Sequence, residues 1–155
     1  MQSIDPNSID PALNQSSGAT LYDLLGGRAR LERVHKKFYD RVFNHPVLGA
    51  FFGTKPQEIQ ENQQTDFLAG VFGGPRIYCG RLPGDAHQHQ FITDEHFELR
   101  HAILAAALDE CGIAPELRDH WLAIDRRFKN QIVKTTIDDC TKRYNNDTII
   151  VAPSI

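Results

Sequence analysis

The side chains of this sequence that could do more than pack are its histidines, one tyrosine and a pair of glutamines. There are seven histidines: His35, His45, His87, His89, His96, His101 and His120. His35, His101 and His120 fall within helical patterns and read as packing or surface residues. His45 directly precedes Pro46 and reads as a helix-end residue, because the residue before proline avoids the helical region. His87 and His89 stand in "AHQHQF", a short polar segment between a Gly/Pro loop and a helix. A surface position and a metal-ligand role are both open there, neutral imidazole being the commonest protein ligand for metals. "H-Q-H" with His96 as a third ligand would also suit zinc, but no cysteine pair or acidic residue completes such a set at the usual spacing.

The carboxamides pose a different question. In "EIQENQQTDFLAGVFGG", residues 58–74, Gln60, Gln64, Phe67 and Val71 share one helical face, and that face continues into an apolar stripe. A buried amide without a partner costs about 1–3 kcal/mol. Either glutamine alone could sit at the edge of the face and reach water. Tyr39 follows Phe38 on the flank of its helix, with His35, Val42 and Phe43. Taken alone, its hydroxyl belongs at the surface.

These residues need helices to position them, and the pattern supplies helices almost exclusively. "LYDLLGG" is a short apolar turn stopped by Gly26 and Gly27. Leu31, Val34, Phe38 and Val42 then mark an amphipathic helix over Arg28 to Asn44, ended by His45-Pro46. "PVLGAFFG" suits a short connecting helix, and Pro56 opens the glutamine-bearing helix, which ends at Gly73 to Pro75. Residues 76–93 read as loop. Thr93 is an N-cap for a helix traced by Phe97, Arg100, His101, Leu104, Leu108 and Cys111, closed by Gly112. A last helix starts near Pro115 and runs through Leu117, Trp121, Ile124, Phe128 and Ile132. Strand-like alternation is absent, so the fold class is all-α.

Composition narrows the setting. The 155 residues make one domain, with 24% charged and 41% hydrophobic residues, as in ordinary globular proteins. A net charge of −3 leaves no basic footprint for nucleic acid, and no stretch approaches the roughly 18 apolar residues of a membrane span. Cys79, Cys111 and Cys140 are odd in number and widely spaced, which fits a reducing compartment, and no C-x-x-C exists for c-type haem attachment. The N-terminal residues lack the charged and apolar segments of a secretory signal, so the expected location is cytoplasmic. Residues 1–19 read as a flexible extension, and 137–155 as a frayed helix end with a tail.

The double glycine of "LYDLLGG", then "KFYDRV" and "HPVLGAFF", then "QQTDFLAGVFGGP" and finally "AHQHQFITDEHF" come in an order and spacing that resembles the truncated haemoglobins, short globins with a two-over-two helical sandwich. The likeness covers about residues 20–134, within a domain taken as 20–136, and is strongest to group I. It implies haem b held by His87, which stands five residues before Ile92 and is thereby selected over His89. It implies that Tyr39 faces the bound gas, that Gln60 and Gln64 are the distal pair, and that Phe52 lies flat against the porphyrin. Phe67, Phe91 and Phe97 become further pocket walls.

The same resemblance implies reversible binding of O2, CO and NO at a five-coordinate iron, because the distal helix carries Gln63 where some relatives place a second histidine ligand. Hydrogen bonds to a ligand that gains negative charge are each worth roughly 1.5–3 kcal/mol, or about ten- to a hundredfold in ligand release. Detoxification of NO with an external reductase is the expected use, in a monomer or weak dimer. The alternatives are a haem-based sensor that signals to a protein partner through the leader or the tail, and a haem-free helical module. Two departures stand out. The tryptophan that another group places above the haem is missing, and Trp121 reads as core. Arg100 occupies a position where small apolar residues are usual, either reaching a propionate or bending outward.

Overall fold

A computed structural model of the chain describes residues 18–155, so the expected N-terminal extension lies outside the described residues up to residue 17. The first helix, α1 (Leu21–Leu25), begins with a capping box in which Thr20 and Asp23 satisfy each other's backbone N–H groups. Gly26, at φ 108°, ends it in a left-handed conformation that other residues avoid. Helix α2 (Arg28–Phe43) buries Leu31, Val34, Phe38 and Val42 on one stripe. His45 does act as a helix-end residue: its Nδ1 accepts from the backbone N–H groups of Val47 and Leu48 at 3.1 and 3.2 Å. That bond leads into a 3-10 turn, Leu48–Phe51, which supplies Leu48 and Phe51 to the core.

Helix α3 (Gln57–Val71) follows Pro56 and ends at the Gly73-Gly74 pair. A side chain at Gly74 would meet the Tyr22 ring at 2.5 Å, so the glycine is required where this turn docks on α1. After it come α4 (Pro83–His87), α5 (Asp94–Glu110), α6 (Pro115–Arg127), α7 (Lys129–Ile132) and a second 3-10 turn, Ile137–Asp139. Thr93 caps α5 as the sequence indicates, its hydroxyl accepting from the N–H of His96. Among the described residues there is no strand, only an isolated parallel bridge between Gln90 and Ile150.

Helix α2 packs on α3 and α5, and α5 packs on α6, which gives two helix pairs facing each other. Their shared core holds Phe38, Leu104, Leu108, Ile124 and Phe72. Each such side chain contributes about 1.5–3 kcal/mol on burial. Trp121 is core, 1% exposed, with its ring edge-on to Phe72 at 5.1 Å. The three cysteines are free thiols. No helix of the described residues is long and apolar enough to cross a membrane.

Three expectations need correction. The segment 76–93 is not all loop, since it contains α4. Pro83 opens that helix at its first position, but five residues are too few to show a period. The last long helix does not run through to Ile132, because it breaks at Phe128 into α6 and α7. The C-terminal residues are not frayed. Arg143 and the buried Asp147 close a turn through a bidentate pair at 2.8 and 2.9 Å, and Ile150 hydrogen-bonds to the segment after α4.

Candidate functional site

A cavity of about 210 Å³ lies between α3 and α5, floored by α2 and closed by α4 and its following turn. Helix α2 points Phe38, Tyr39 and Val42 into it, since residues three and four apart share a face. Tyr39 is 4% exposed, which overturns the reading of a flank tyrosine with its hydroxyl at the surface. The Tyr39 ring is held edge-on by Phe43 and by Phe52, each at 6.0 Å, and those two rings stack at 4.3 Å. Phe52 lines the cavity from the residue after the 3-10 turn.

The glutamines answer their own question. Gln60 donates from Nε2 to the Tyr39 hydroxyl oxygen at 3.3 Å. That bond uses an acceptor site on the phenol and leaves its O–H hydrogen free to donate. Burial raises the Tyr39 pKa above the usual phenol value, against the Gln60 bond and the Arg100 charge, so the O–H stays protonated. Gln64, one turn further along α3, lines the same cavity, and its amide has no hydrogen-bond partner among the described residues. Two donors are therefore presented to a common space.

On the opposite side, His87 is the last residue of α4 and also lines the cavity. Its Nδ1 lies 2.7 Å from the carbonyl oxygen of Pro83. A carbonyl only accepts, so Nδ1 carries the hydrogen and Nε2 is the bare nitrogen. Burial, reinforced by the Arg100 and Lys134 cations, lowers the His87 pKa to about 4 despite the Pro83 bond. A neutral imidazole with one nitrogen oriented by a backbone carbonyl and the other bare is the usual form of a metal-binding histidine. Lys134 adds an Nζ bond to the His87 carbonyl and a backbone bond to the carbonyl of Ile92 at 2.8 Å.

His89 and His96 do not join it. His89 is 4% exposed, faces away from the cavity, and leaves Nδ1 without a partner. His96 borders the cavity, but its Nδ1 accepts the Thr93 backbone N–H at 3.0 Å. Among the described residues no three His, Cys, Asp or Glu side chains converge as a metal cluster, which disposes of the zinc arrangement.

Phe67 and Phe97 are on the cavity wall, Phe97 at 1% exposure and Phe67 edge-on to Tyr78 at 5.2 Å. Phe91 is not on it. Its backbone bonds to Ile150, and Gln90 and Ile92 line the wall instead. The mouth carries Lys55 and Arg81, neither of which the sequence singled out. Arg100 does not bend outward. It lies on the wall in a bidentate pair with Asp125, both bonds 2.9 Å, and His101 Nδ1 also contacts Asp125 at 2.9 Å. Burial alone would raise the Asp125 carboxyl, but Arg100 and His101 hold it down at about 2. The missed signal was joint: Asp125 sits among Trp121, Ile124 and Phe128, and Arg100 between Phe97 and Leu104, so each apolar stripe carries one opposite charge.

Comparison with known proteins bears on the family and the fold. Residues 20–134 match the bacterial-like globin family. A group 1 truncated hemoglobin of Mycolicibacterium paratuberculosis is 37% identical over 98 residues, which are 63% of this chain and 72% of that protein. Among solved structures, a truncated hemoglobin from Tetrahymena pyriformis in the Fe(III) form superposes with a TM-score of 0.69 at 28% identity, covering 76% of this chain and all of the other. A 2/2 hemoglobin from Synechococcus in the cyanomet state, with covalently attached heme, gives a TM-score of 0.67 at 29% identity over 74% of this chain and 98% of its own.

Proposed function

As a member of the bacterial-like globin family, with a two-over-two helical fold and group 1 truncated hemoglobins among its relatives, this chain belongs with haem proteins, and we propose that it holds haem b through His87 Nε2 and binds dioxygen, CO and NO reversibly. The observation that carries the proposal is the pairing across one cavity of a bare, neutral His87 Nε2 with the free donors of Tyr39 and Gln64. The donor set fits an iron porphyrin. One imidazole is oriented for a single axial bond, Phe52, Phe67 and Phe97 offer ring surface, and Lys55 and Arg81 at the mouth suit the two carboxylates of the macrocycle. When bound, haem would supply an iron able to take up a diatomic gas.

The chain's own residues then do the rest. Pro83 fixes the His87 tautomer and ring direction. Tyr39, buttressed by Gln60, and Gln64 donate hydrogen bonds to a gas molecule that draws negative charge, and the buried rings keep water from competing. No side chain in the cavity is an obvious proton donor tuned near neutrality, which favours capture over acid–base chemistry. The proposed use of captured dioxygen is removal of NO. One dioxygen, one NO and one electron give one nitrate, the electron coming from an external reductase.

The sensor reading draws on one observation, the backbone pairing of the C-terminal residues with the turn beside His87, which links a surface segment to that residue. Nitrate formation with a reductase separates the two uses. The test of the haem proposal itself is the absorption spectrum of purified protein, ferric, reduced, and reduced with CO. A Soret band that shifts at each step is expected. Protein that stays colourless after haem is added overturns the proposal.

A further inference from the structure

Arg100 and Asp125 are a charged part of the cavity wall to which gas binding as described above gives no role. The pair is internal: the Asp125 side chain is 9% exposed and that of Arg100 27%, and both line the cavity. Two buried rings hold the guanidinium, with Phe38 at 5.3 Å and Phe97 at 5.6 Å from its central carbon, and both rings also face the cavity. A guanidinium has five N–H donors, of which Asp125 takes two. The other three have no acceptor among the described residues. Arg100 lines the same cavity as Tyr39 and His87, with its guanidinium against Phe38, the neighbour of Tyr39. A partly buried cation with spare donors beside a ligand site attracts anions more strongly than the same group in water.

We propose that Arg100 is a further ligand-recognition residue and makes this cavity a receptor for small monovalent anions, azide-like or nitrite-like, in the space it shares with Tyr39 and Gln64. The proposal rests on the haem reading above. Asp125 is its counterweight. It keeps the cation neutralised and oriented when the cavity holds an uncharged gas, and competes with an incoming anion for the guanidinium. Removing the carboxylate and removing the cation therefore have opposite effects on anion affinity, which a merely structural ion pair would not produce.

The experiment uses the full chain loaded with haem, with azide titrated against the ferric form and CO against the ferrous form, both followed at the Soret band. Asp125→Asn, which keeps shape and frees Arg100, is expected to tighten azide several-fold. The double variant Arg100→Met with Asp125→Asn, which removes the cation without stranding a buried carboxylate, is expected to lower the ratio of azide to CO affinity by about ten- to a hundredfold, the worth of one charge-assisted hydrogen bond. Arg100→Lys keeps charge without the fork and should fall between, and it serves where a charge-deleting variant does not fold. An azide-to-CO ratio within twofold of the unmodified protein in the double variant, or weaker azide binding in both Asp125→Asn and the double variant, overturns the proposal and leaves the haem reading intact. A chain that takes up no haem overturns both.

Discussion

Two walls of the cavity rest on unlike supports. Tyr39, Gln60 and Gln64 project from α2 and α3, helices of 16 and 15 residues anchored by buried side chains, Leu31, Val34 and Phe38 on α2 and Thr65 and Leu68 on α3. His87 ends α4, a helix of five residues of which none is fully buried. A helix that short has barely nucleated and does not hold itself. Its position depends on bonds from residues far along the chain: Lys134 to the carbonyls of His87 and Ile92, Thr141 to Gln88, and Ile150 to both His89 and Phe91. The distal donors are thus placed by side-chain packing, and the proximal histidine by backbone bonding to a C-terminal strap. The two walls should respond to different damage.

The largest effect is expected at His87. His87→Ala should abolish histidine-ligated haem, read as loss of the five-coordinate ferrous spectrum, and added imidazole should restore a Soret band by filling the vacated space. His89→Ala, two residues away but turned from the cavity, should keep the spectrum of the unmodified protein. A reversed outcome would exchange the two histidines and break the proximal half of the comparison.

Next in size are the distal donors. Tyr39→Phe or Gln64→Leu should speed dioxygen release by roughly ten- to a hundredfold in rapid-mixing measurements, each removing one charge-assisted bond. Because Tyr39 and Gln64 make no hydrogen bond to α4 or to the residues bonded to it, the iron–histidine stretching frequency should move little. Unchanged oxygen release in both variants would mean that the cavity's donors do not meet the ligand.

Deleting residues 137–155 tests the other support. It removes three backbone bonds to the segment after α4, from Thr141 and Ile150 and from Phe91 to Ile150, each worth about 1 kcal/mol. Not all of that reaches His87, so haem loss should accelerate by about tenfold, while oxygen release shifts less than twofold. Equal changes in both rates would show that the strap steadies the whole fold and not the proximal turn.

The same contrast explains what could be read in advance. The stripes Leu31–Val34–Phe38–Val42 and Trp121–Ile124–Phe128 announce α2 and α6 because each repeats at the helical period and each is buried. Tyr39 needed more than its own position. Only the Phe43 and Phe52 rings and the Gln60 amide, brought in from other turns, say that its hydroxyl faces inward. Helix α4 and the strap lay beyond reach for a different reason. Their bonds join Gln88 to Thr141 and His89 to Ile150, and a contact over some fifty residues leaves no period in the sequence. Phe91 was placed on the wall by resemblance, but pairing with Ile150 turns this stretch so that its neighbours Gln90 and Ile92 face the cavity. The Arg100–Asp125 pair falls between the two cases, since each charge is conspicuous on its stripe and only the fold joins them.

The smallest effect tests the distal wall with acid. His35 on α2 is fully buried, with Nδ1 2.7 Å from Thr65 Oγ1 on α3 and Nε2 without a partner. Burial first, then the Arg100 and Arg28 cations, lower its pKa to about 3, with Asp125 pulling the other way. The folded protein therefore refuses a proton that the unfolded chain accepts below its ordinary value of 6.5. Stability from this residue is fully present above that pH and is lost as pH falls from 6.5 toward 3. At pH 5.5 the loss is about 1 kcal/mol, or roughly 2–4 °C in Tm for a chain of this size. His35→Leu should remove that part of the acid slope between pH 7 and 5.5 while changing Tm little at neutral pH, as thermal melts across that range would record. The protonated imidazole would sit at the α2–α3 contact, so amide exchange along α2 and α3 should quicken between pH 7 and 5.5 in the unmodified protein and less so in His35→Leu. Equal quickening in both would assign the acid slope to other groups, among them His87, whose pKa is lowered to about 4 on the proximal side.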